Sequence, residues 1–585
     1  MKKHIFIFII FSLLTLVFTF PLIANFSKSC LGFSSSDEVL HPIWSYWYLK
    51  YALIHKISLM NTDFLAYPFG IKIFGDFCPY IYLGMVIFLS KFFNYIATYN
   101  IQILLSFILT GFFTYLLVYN LTKSIISGLI SGIIFTFCPQ HFMRSWQHLT
   151  LSYFQWMPLY LLALFELKNR PSFKRSVLLS LSIFLLASFE LHYLFFMFIA
   201  TILFAIIYFF NASLNDFVKF IRFLLLGGFV SLIFIMIQLY TYMQKMFFSN
   251  KGIAAAHNIF NRPFEDLFSQ SAKLLSYFLP STEHFIFGGF TSMFIGSPLY
   301  GNSLTENNLY LGIVALTLAF FGWKLHRKET GGGGNFSIKF FLGLAIVSWF
   351  LSQPPWWQIF NFKLPMPSFF IYKFLPMFRA YCRFGILLNL SIAVLAGFGI
   401  KYILLKFNSR FKKQLFYIIV CSLVIFDFWN NPCQHAINLT SYNMVYDWLR
   451  EKKERVIIAE YPLDINGSND FYKFFQTIHE KKMINGTIPG TQANDLTKKI
   501  SKLSDSYTAG VLKWLGVKYV VVHREGYLQT GLIEESEELN NIHNNKGLEL
   551  VTEFPRQPCP DDGSVCLAYR GPVDVYKVIA SPIKP

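Results

Sequence analysis

Runs of about 20 apolar residues recur along this chain, separated by short polar or Pro/Gly-rich stretches, and a run of that length matches the hydrocarbon thickness of a bilayer. The pattern predicts spans at 4–24, 78–97, 100–119, 151–167, 176–189, 192–210 and 223–243, then at 308–325, 336–352, 384–405 and 413–430. The first run, within 1–24, is followed by Asn25-Phe26 and contains Pro21, whereas a signal peptidase requires small residues there, so it reads as a retained anchor. Residues 124–138 are apolar but short, and they stop at Pro139. If they crossed, Lys168, Arg170, Lys174 and Arg175 would face outward, against the positive-inside rule. A re-entrant hairpin covering a cavity resolves the conflict, with an ordinary span as the alternative. The stretch 176–210 is too long for one span and carries Glu190 and His192 near its middle, which predicts two helices with an outside turn.

From about Asn430 the pattern shortens to strand-sized runs. Residues 455–459 and 518–522 read as buried strands, and 573–578 alternates like a half-exposed one. The expected fold class is therefore a polytopic α-helical membrane protein of about 11 spans plus a re-entrant hairpin, with a small C-terminal α/β domain. Residues 1–430 form the membrane domain with a first outer loop at 25–77, and 431–585 form a soluble extracytoplasmic domain. Lys2-Lys3 hold the N-terminus in the cytoplasm. Cys559 and Cys566 flank a Pro560-Asp561-Asp562-Gly563 turn, where a disulfide and two free thiols are both open readings. Residues 331–334, four glycines, read as a flexible linker without the Lys or Ser/Thr of a phosphate loop.

Composition agrees with a membrane protein: 585 residues, 54% hydrophobic, 19% aromatic and 14% charged, with mean hydropathy +0.46. So little charge cannot clothe a globule of this size in water. A formal charge of +18 would point to nucleic acid in a soluble protein. Here the bases cluster in short loops between apolar runs, where they set topology and contact anionic lipid, and nucleic acid drops out as a partner. The 8 Cys show no paired CxxC spacing and no Cys/His cluster suited to zinc.

Candidate chemistry lies in the polar loops. Asp37-Glu38 opens the first outer loop, which also holds Asp63, Asp76 and an aromatic stretch at 41–57 suited to an interfacial helix. A carboxylate at head-group level can take the proton of an acceptor hydroxyl; equally, the two acids can cap the helix that follows. His141, Arg144 and His148 share one face at helical spacing, where they can hold a phosphate or simply anchor at the interface beside Trp146 and Trp156. Glu190 and His192 are costly in an apolar stretch unless they face a cavity or turn. Arg379 and Arg383, one helical turn apart before the 384–405 span, break the positive-inside trend on the outer side and suit a phosphate or diphosphate. Glu306 offers a further carboxylate, although capping of the next helix accounts for it more simply. No HExxH, GxSxG or Walker signature competes with these residues.

The chain resembles the GT-C superfamily of polyprenyl-phosphate-sugar-dependent membrane glycosyltransferases, in a poorly characterised bacterial branch. The resemblance rests on the anchor, the acidic pair, the aromatic helix, the many spans and the outer domain. Residues 65–70 (LAYPFG), 135–139 (FTFCP), 155–159 (QWMPL), 310–312 (YLG) and 378–385 (FRAYCRFG) sharpen it. It implies an inverting transfer from a polyprenyl-phosphate sugar donor to a cell-envelope acceptor (glycan, lipid or protein) on the outer face of a bacterial inner membrane. Asp37, with Glu38, would be the catalytic acid pair, and Arg379, Arg383 and Arg144 would bind the departing phosphate. Some members use a divalent metal and others do not; the scattered carboxylates here decide neither. A reading from another class keeps the fold without catalysis, as a lipid-linked saccharide transporter or an assembly scaffold. Few charges deep in the later helices argue against a transport path, and no repeat or pore motif supports a channel.

Overall fold

The computed structural model describes residues 2–33, 38–73, 80–248, 262–329, 335–430, 436–463, 468–488, 491–528, 533–560, 565–567 and 570–585. Asp37, Asp76 and the four glycines at 331–334 lie outside the described residues. The chain divides into two compact units. One gathers Met1–Phe20, Pro79–Tyr82 and Gln102–Pro432, and the other Pro21–Cys78, Leu83–Ile101 and Cys433–Pro585.

The first unit is helical. Lys2–Phe18 packs on Tyr95–Thr122, with Phe11 against Gly111 and Tyr115 Oη 2.8 Å from His4 Nδ1. Lys123, at φ 59°, then reverses the chain, and Ser124 caps the helix Ile125–Thr136 by accepting from the Ser127 N–H. Pro139 starts the next helix, Pro139–Ser145, bent by 49° from its predecessor. The 176–210 run breaks at Glu190, between Phe173–Phe189 and Leu191–Phe209, as the polar pair predicts. Leu214–Phe248 outruns its predicted span at both ends.

Gly385–Leu404 is the central helix of this unit, with fifteen of its 20 residues buried. Ile313–Glu329, Phe336–Leu351 and Ile125–Thr136 pack around it. Its contact with Ile313–Glu329 is backbone against backbone. A Cβ on Gly399 would lie 1.8 Å from the Leu318 carbonyl oxygen, and one on Gly322 would lie 2.3 Å from that of Leu395. Small residues at such a crossing are how helices approach in an apolar solvent, where no hydrophobic force drives them together. Among the described residues four helices are long and apolar enough to cross a membrane, or five if the bent pair is one span. Shorter apolar helices lie at Tyr80–Ser90, Ile313–Lys324 and Phe336–Leu351. The protein is a multi-pass membrane protein.

The second unit is built on a five-stranded sheet in the order Leu548–Phe554, Val573–Val578, Val517–His523, Ile457–Tyr461, Lys482–Met483. The last three strands are parallel, and Val573–Val578 runs antiparallel to both of its neighbours. Two of the predicted strands lie within a residue or two of their places. Val573–Val578 differs from its half-exposed reading: five of its six residues are buried. Both faces are covered, and only Lys577 is exposed. Asp574 lies 2.8 Å from Arg524 Nε and 2.5 Å from Nη2, so its charge is paired rather than solvated. Cys559 and Cys566 form a disulfide.

The aromatic helix of the first loop, Leu40–His55, belongs to this unit. Nine of its 16 residues are buried, Trp44, Tyr46, Trp47 and Tyr48 among them. The rings pack within the unit because Leu40–His55 lies on the helix Ser468–His479, where Trp44 Nε1 donates to Gln476 Oε1 at 2.8 Å. Gln476 in turn donates to the Phe64 and Lys481 carbonyls.

Candidate functional site

Three short pieces of chain converge near the start of the central helix. Pro139–Ser145 brings Arg144, the Ser303-capped turn Leu304–Asn307 brings Glu306, and the tight 3₁₀ turn Tyr381–Phe384 brings Cys382 and Arg383. Arg144 grips Glu306 with two parallel bonds, Nη1 to Oε1 at 2.8 Å and Nη2 to Oε2 at 2.5 Å. Arg383 binds the same carboxylate through Nη2 at 2.7 Å and Nε at 3.1 Å, both to Oε1. The Cys382 thiol donates to Oε2 at 2.9 Å. An apolar cluster that includes Tyr277, Leu309, Leu311 and Leu388 packs around Cys382.

Exposure decides what this arrangement can do. The side chain of Arg144 is 0% exposed and that of Glu306 5%, while Arg383 reaches 15%. Burial works to raise the Glu306 carboxyl, but the two guanidinium groups beside it overcome that and hold it well below the usual carboxylate range. Glu306 is therefore an anion shared by two permanent cations, and Glu190 is a second carboxylate whose charge reaches Arg383. Arg144 Nε, also buried, has no hydrogen-bond partner. Arg383, the more open of the two, is the guanidinium that an anionic ligand can reach.

The remaining sequence candidates are distributed around this centre. Glu190 caps the Leu191–Phe209 helix by accepting from the His192 N–H, and the same oxygen lies 2.5 Å from His192 Nδ1. Burial would raise the Glu190 carboxyl, but the His192 imidazole brings it down to about 2. Its charge acts through space on Arg383. Arg379, read as the partner of Arg383, instead pairs with Asp266 at 2.8 Å, because the segment between them is an irregular turn rather than α-helix. His141 lies between Phe107 and Phe154, with its two ring nitrogens 2.8 Å from the Thr136 and Ser152 carbonyls. His148 falls beyond the end of the Pro139–Ser145 helix, with its N–H donating to the Arg144 carbonyl at 2.8 Å. Glu38 is exposed, and Val39 rather than an acid takes the N-cap of Leu40–His55. Cys382 and Asp266 carry no local signal in the sequence. Glu306 does, but only as a cap. Among the described residues no three His, Cys, Asp or Glu side chains come together to hold a metal ion.

A polytopic helical body of this form is the fold of the GT-C glycosyltransferases. It matches the apo crystal structure of the Archaeoglobus fulgidus oligosaccharyltransferase at TM-score 0.52 and 13% identity, over 97% of this chain and 75% of that one. It matches the arabinofuranosyltransferase AftD from Mycobacteria at TM-score 0.53 and 12% identity, over 98% of this chain but 40% of that one. ArnT from Cupriavidus metallidurans, in a crystal structure bound to undecaprenyl phosphate, matches at TM-score 0.53 and 10% identity, over 98% and 99% of the two chains. By sequence the chain belongs to the DUF6311 family, a domain of unknown function whose model matches residues 14–428. No curated protein matches the sequence.

Proposed function

We propose that this protein is an inverting glycosyltransferase that moves a sugar from a polyprenyl-phosphate donor to a cell-envelope acceptor. The observation that carries the reading is the buried Arg144–Glu306–Arg383 cluster, with Arg383 its more open cation, on a GT-C fold. In this mechanism Asp37 takes the proton of an acceptor hydroxyl, and the oxygen attacks the anomeric carbon. The bond from that carbon to the phosphate oxygen breaks with its electrons going to the phosphate, and the configuration inverts. Arg383, the more exposed guanidinium, and Arg144 stabilise the charge that develops on the leaving phosphate. Glu306 positions both by fixing their planes. Arg379 stands by, held on Asp266. ArnT was crystallised with undecaprenyl phosphate, which supports a lipid-linked donor here.

The same reading sets the topology. The N-terminus lies in the cytoplasm, about 11 spans and a re-entrant segment at 124–138 fill residues 1–430, and 431–585 lie outside a bacterial inner membrane. Cysteine-accessibility mapping tests this: a cysteine in 331–334 should label only from the cytoplasm, and one in 501–505 only from outside. The chemistry is tested by transfer from a panel of radiolabelled polyprenyl-phosphate sugars in membranes carrying wild type, Asp37→Asn or Arg383→Gln. Transfer by the wild type that is lost in Asp37→Asn supports the mechanism. Absence of transfer from every donor returns the weight to a transporter or scaffold.

A further inference from the structure

The helices Phe336–Leu351 and Gly385–Leu404 pack against each other, so the chain between them joins one end of the pair. It is not a polar loop. It contains a two-stranded ribbon, Trp356–Ile359 paired with Phe362–Pro365, and then the short helix Pro367–Phe374. Register divides the ribbon into two faces, because residues directly opposite across an antiparallel pair share a side. One face carries Trp356, Gln358 and Lys363, and the other Trp357, Phe362 and Leu364. The first is seated on the protein, where Trp356 packs with Phe264, Phe268 and Phe369 at centroid distances of 5.5, 4.9 and 6.2 Å. The Met366 N–H closes the base of the ribbon on the Pro355 carbonyl at 2.9 Å.

The second face is open. Phe362 and Leu364 are exposed, as are Phe370, Phe374 and Met377 beyond the ribbon. Phe360, in the two-residue turn, is 94% exposed and stands at φ 52°, a backbone that Gly or Asn adopts at lower cost. Water penalises such a surface and lipid does not. The patch is continuous with the apolar surface of the helix Phe336–Leu351: Trp357 lies 5.5 Å from Trp349, and Ile346 and Phe350 of that helix are exposed. The hydrocarbon core itself is closed to the ribbon. Among the described residues it pairs with no third strand, and its outer edges would carry unsatisfied backbone groups into lipid. Both conditions are met at the head-group boundary. Lys363 and Lys373 suit that depth, with their ammonium groups 4.9 Å from the Trp356 ring and 4.4 Å from the Phe369 ring, since basic and aromatic side chains together mark a membrane interface. We propose that residues 356–374 form a lipid-binding wedge, its apolar face sunk into the head-group boundary of the bilayer and its two lysines at the level of the phospholipid phosphates.

Spin labels test this on the full chain in phospholipid nanodiscs, with the signal of the unsubstituted protein subtracted. The labelled variants are Phe360→Cys, Phe362→Cys and Lys363→Cys, with Ser501→Cys, exposed in the second unit, as the comparison. Phe360 and Phe362 are exposed, so a label at either leaves the packing of Trp356 in place. Collision with oxygen reports lipid, and collision with a water-soluble nickel chelate reports water. The ratio of oxygen to nickel collisions should be several-fold higher at 360 and 362 than at 501. Those two labels should lie about 5–10 Å below the phosphates, and the label at 363 at the phosphate level. Labels at 360 and 362 that meet nickel as readily as the one at 501, or that lie at the centre of the bilayer, overturn the proposal. So does a label at 363 as deep as that at 362. None of these results depends on sugar transfer, so the wedge stands or falls apart from the transferase reading.

Discussion

Two buried carboxylates, one in each unit, are solved in opposite ways. Glu306 meets two guanidinium groups and a thiol. Glu460, whose side chain is 0% exposed, meets a phenol and imidazoles: Tyr446 donates to Oε2 at 2.9 Å, His523 Nε2 lies 2.8 Å from the same oxygen, and His479 Nε2 stands 4.0 Å from Oε1. Its backbone is locked as well, exchanging two bonds with the Asn485 side chain at 2.8 and 2.7 Å. Phenol and imidazole bond one carboxylate oxygen without adding permanent charge, and the other, Oε1, is left without a hydrogen bond. Two arginines bring a permanent charge each. Glu460, near the end of Ile457–Tyr461, therefore sits in a network that ties this strand to the neighbouring Val517–His523, whereas Glu306 is held by two permanent cations, one of which, Arg383, is partly open.

Breaking this contrast should have graded effects. Glu306→Gln leaves two buried cations uncompensated and should cost about 3–5 kcal/mol, read as a large fall in the melting temperature of purified protein. Arg383→Gln removes the more accessible cation while leaving the Arg144 fork in place. It should weaken transfer by on the order of tenfold or more through the KM for the lipid donor, with kinetics at varied donor as the check. Glu460→Gln should cost about 1–3 kcal/mol in chemical denaturation, yet leave transfer intact wherever the protein is folded. An equal loss of transfer from Glu460→Gln and Arg383→Gln would erase the distinction between the two sites.

A further effect is in pH. His479 Nδ1 accepts from the Lys481 N–H. Burial, with the Lys481 charge adding to it, lowers the imidazole from 6.5 to about 3. The folded state thus resists a proton that the unfolded chain accepts below 6.5. Stability from this group is full above pH 6.5 and is lost as pH falls toward 3, at a slope of up to about 1.4 kcal/mol per pH unit. His479→Phe should flatten that slope in denaturation at pH 4.5 against pH 7, and an unchanged slope would remove His479 from the account.

Legibility in the sequence followed the range of the interactions. Helices written by local apolar runs were readable, including the break at Glu190, where two polar residues interrupt an otherwise continuous stretch. Lengths were less so, because helices such as Ile313–Glu329 continue past their apolar stretch into a polar end. The carboxylate centre was only half visible. Arg144 and Arg383 stood out as cations in the wrong place, but Glu306 is 162 residues from one and 77 from the other, and its own neighbourhood announces a helix cap. The cap is real and so is the counter-ion role. The aromatic helix shows the same limit: its partner helix is not announced by local composition, and the Trp44–Gln476 bond joins residues 432 apart.

The most direct test of the central claim is transfer from polyprenyl-phosphate sugars in membranes that contain equal amounts of wild type, Asp37→Asn and Arg383→Gln. The account predicts transfer by the wild type, none by Asp37→Asn, and transfer by Arg383→Gln that recovers as the donor concentration is raised. Transfer undiminished in both variants, or absent from the wild type with every donor, would contradict it.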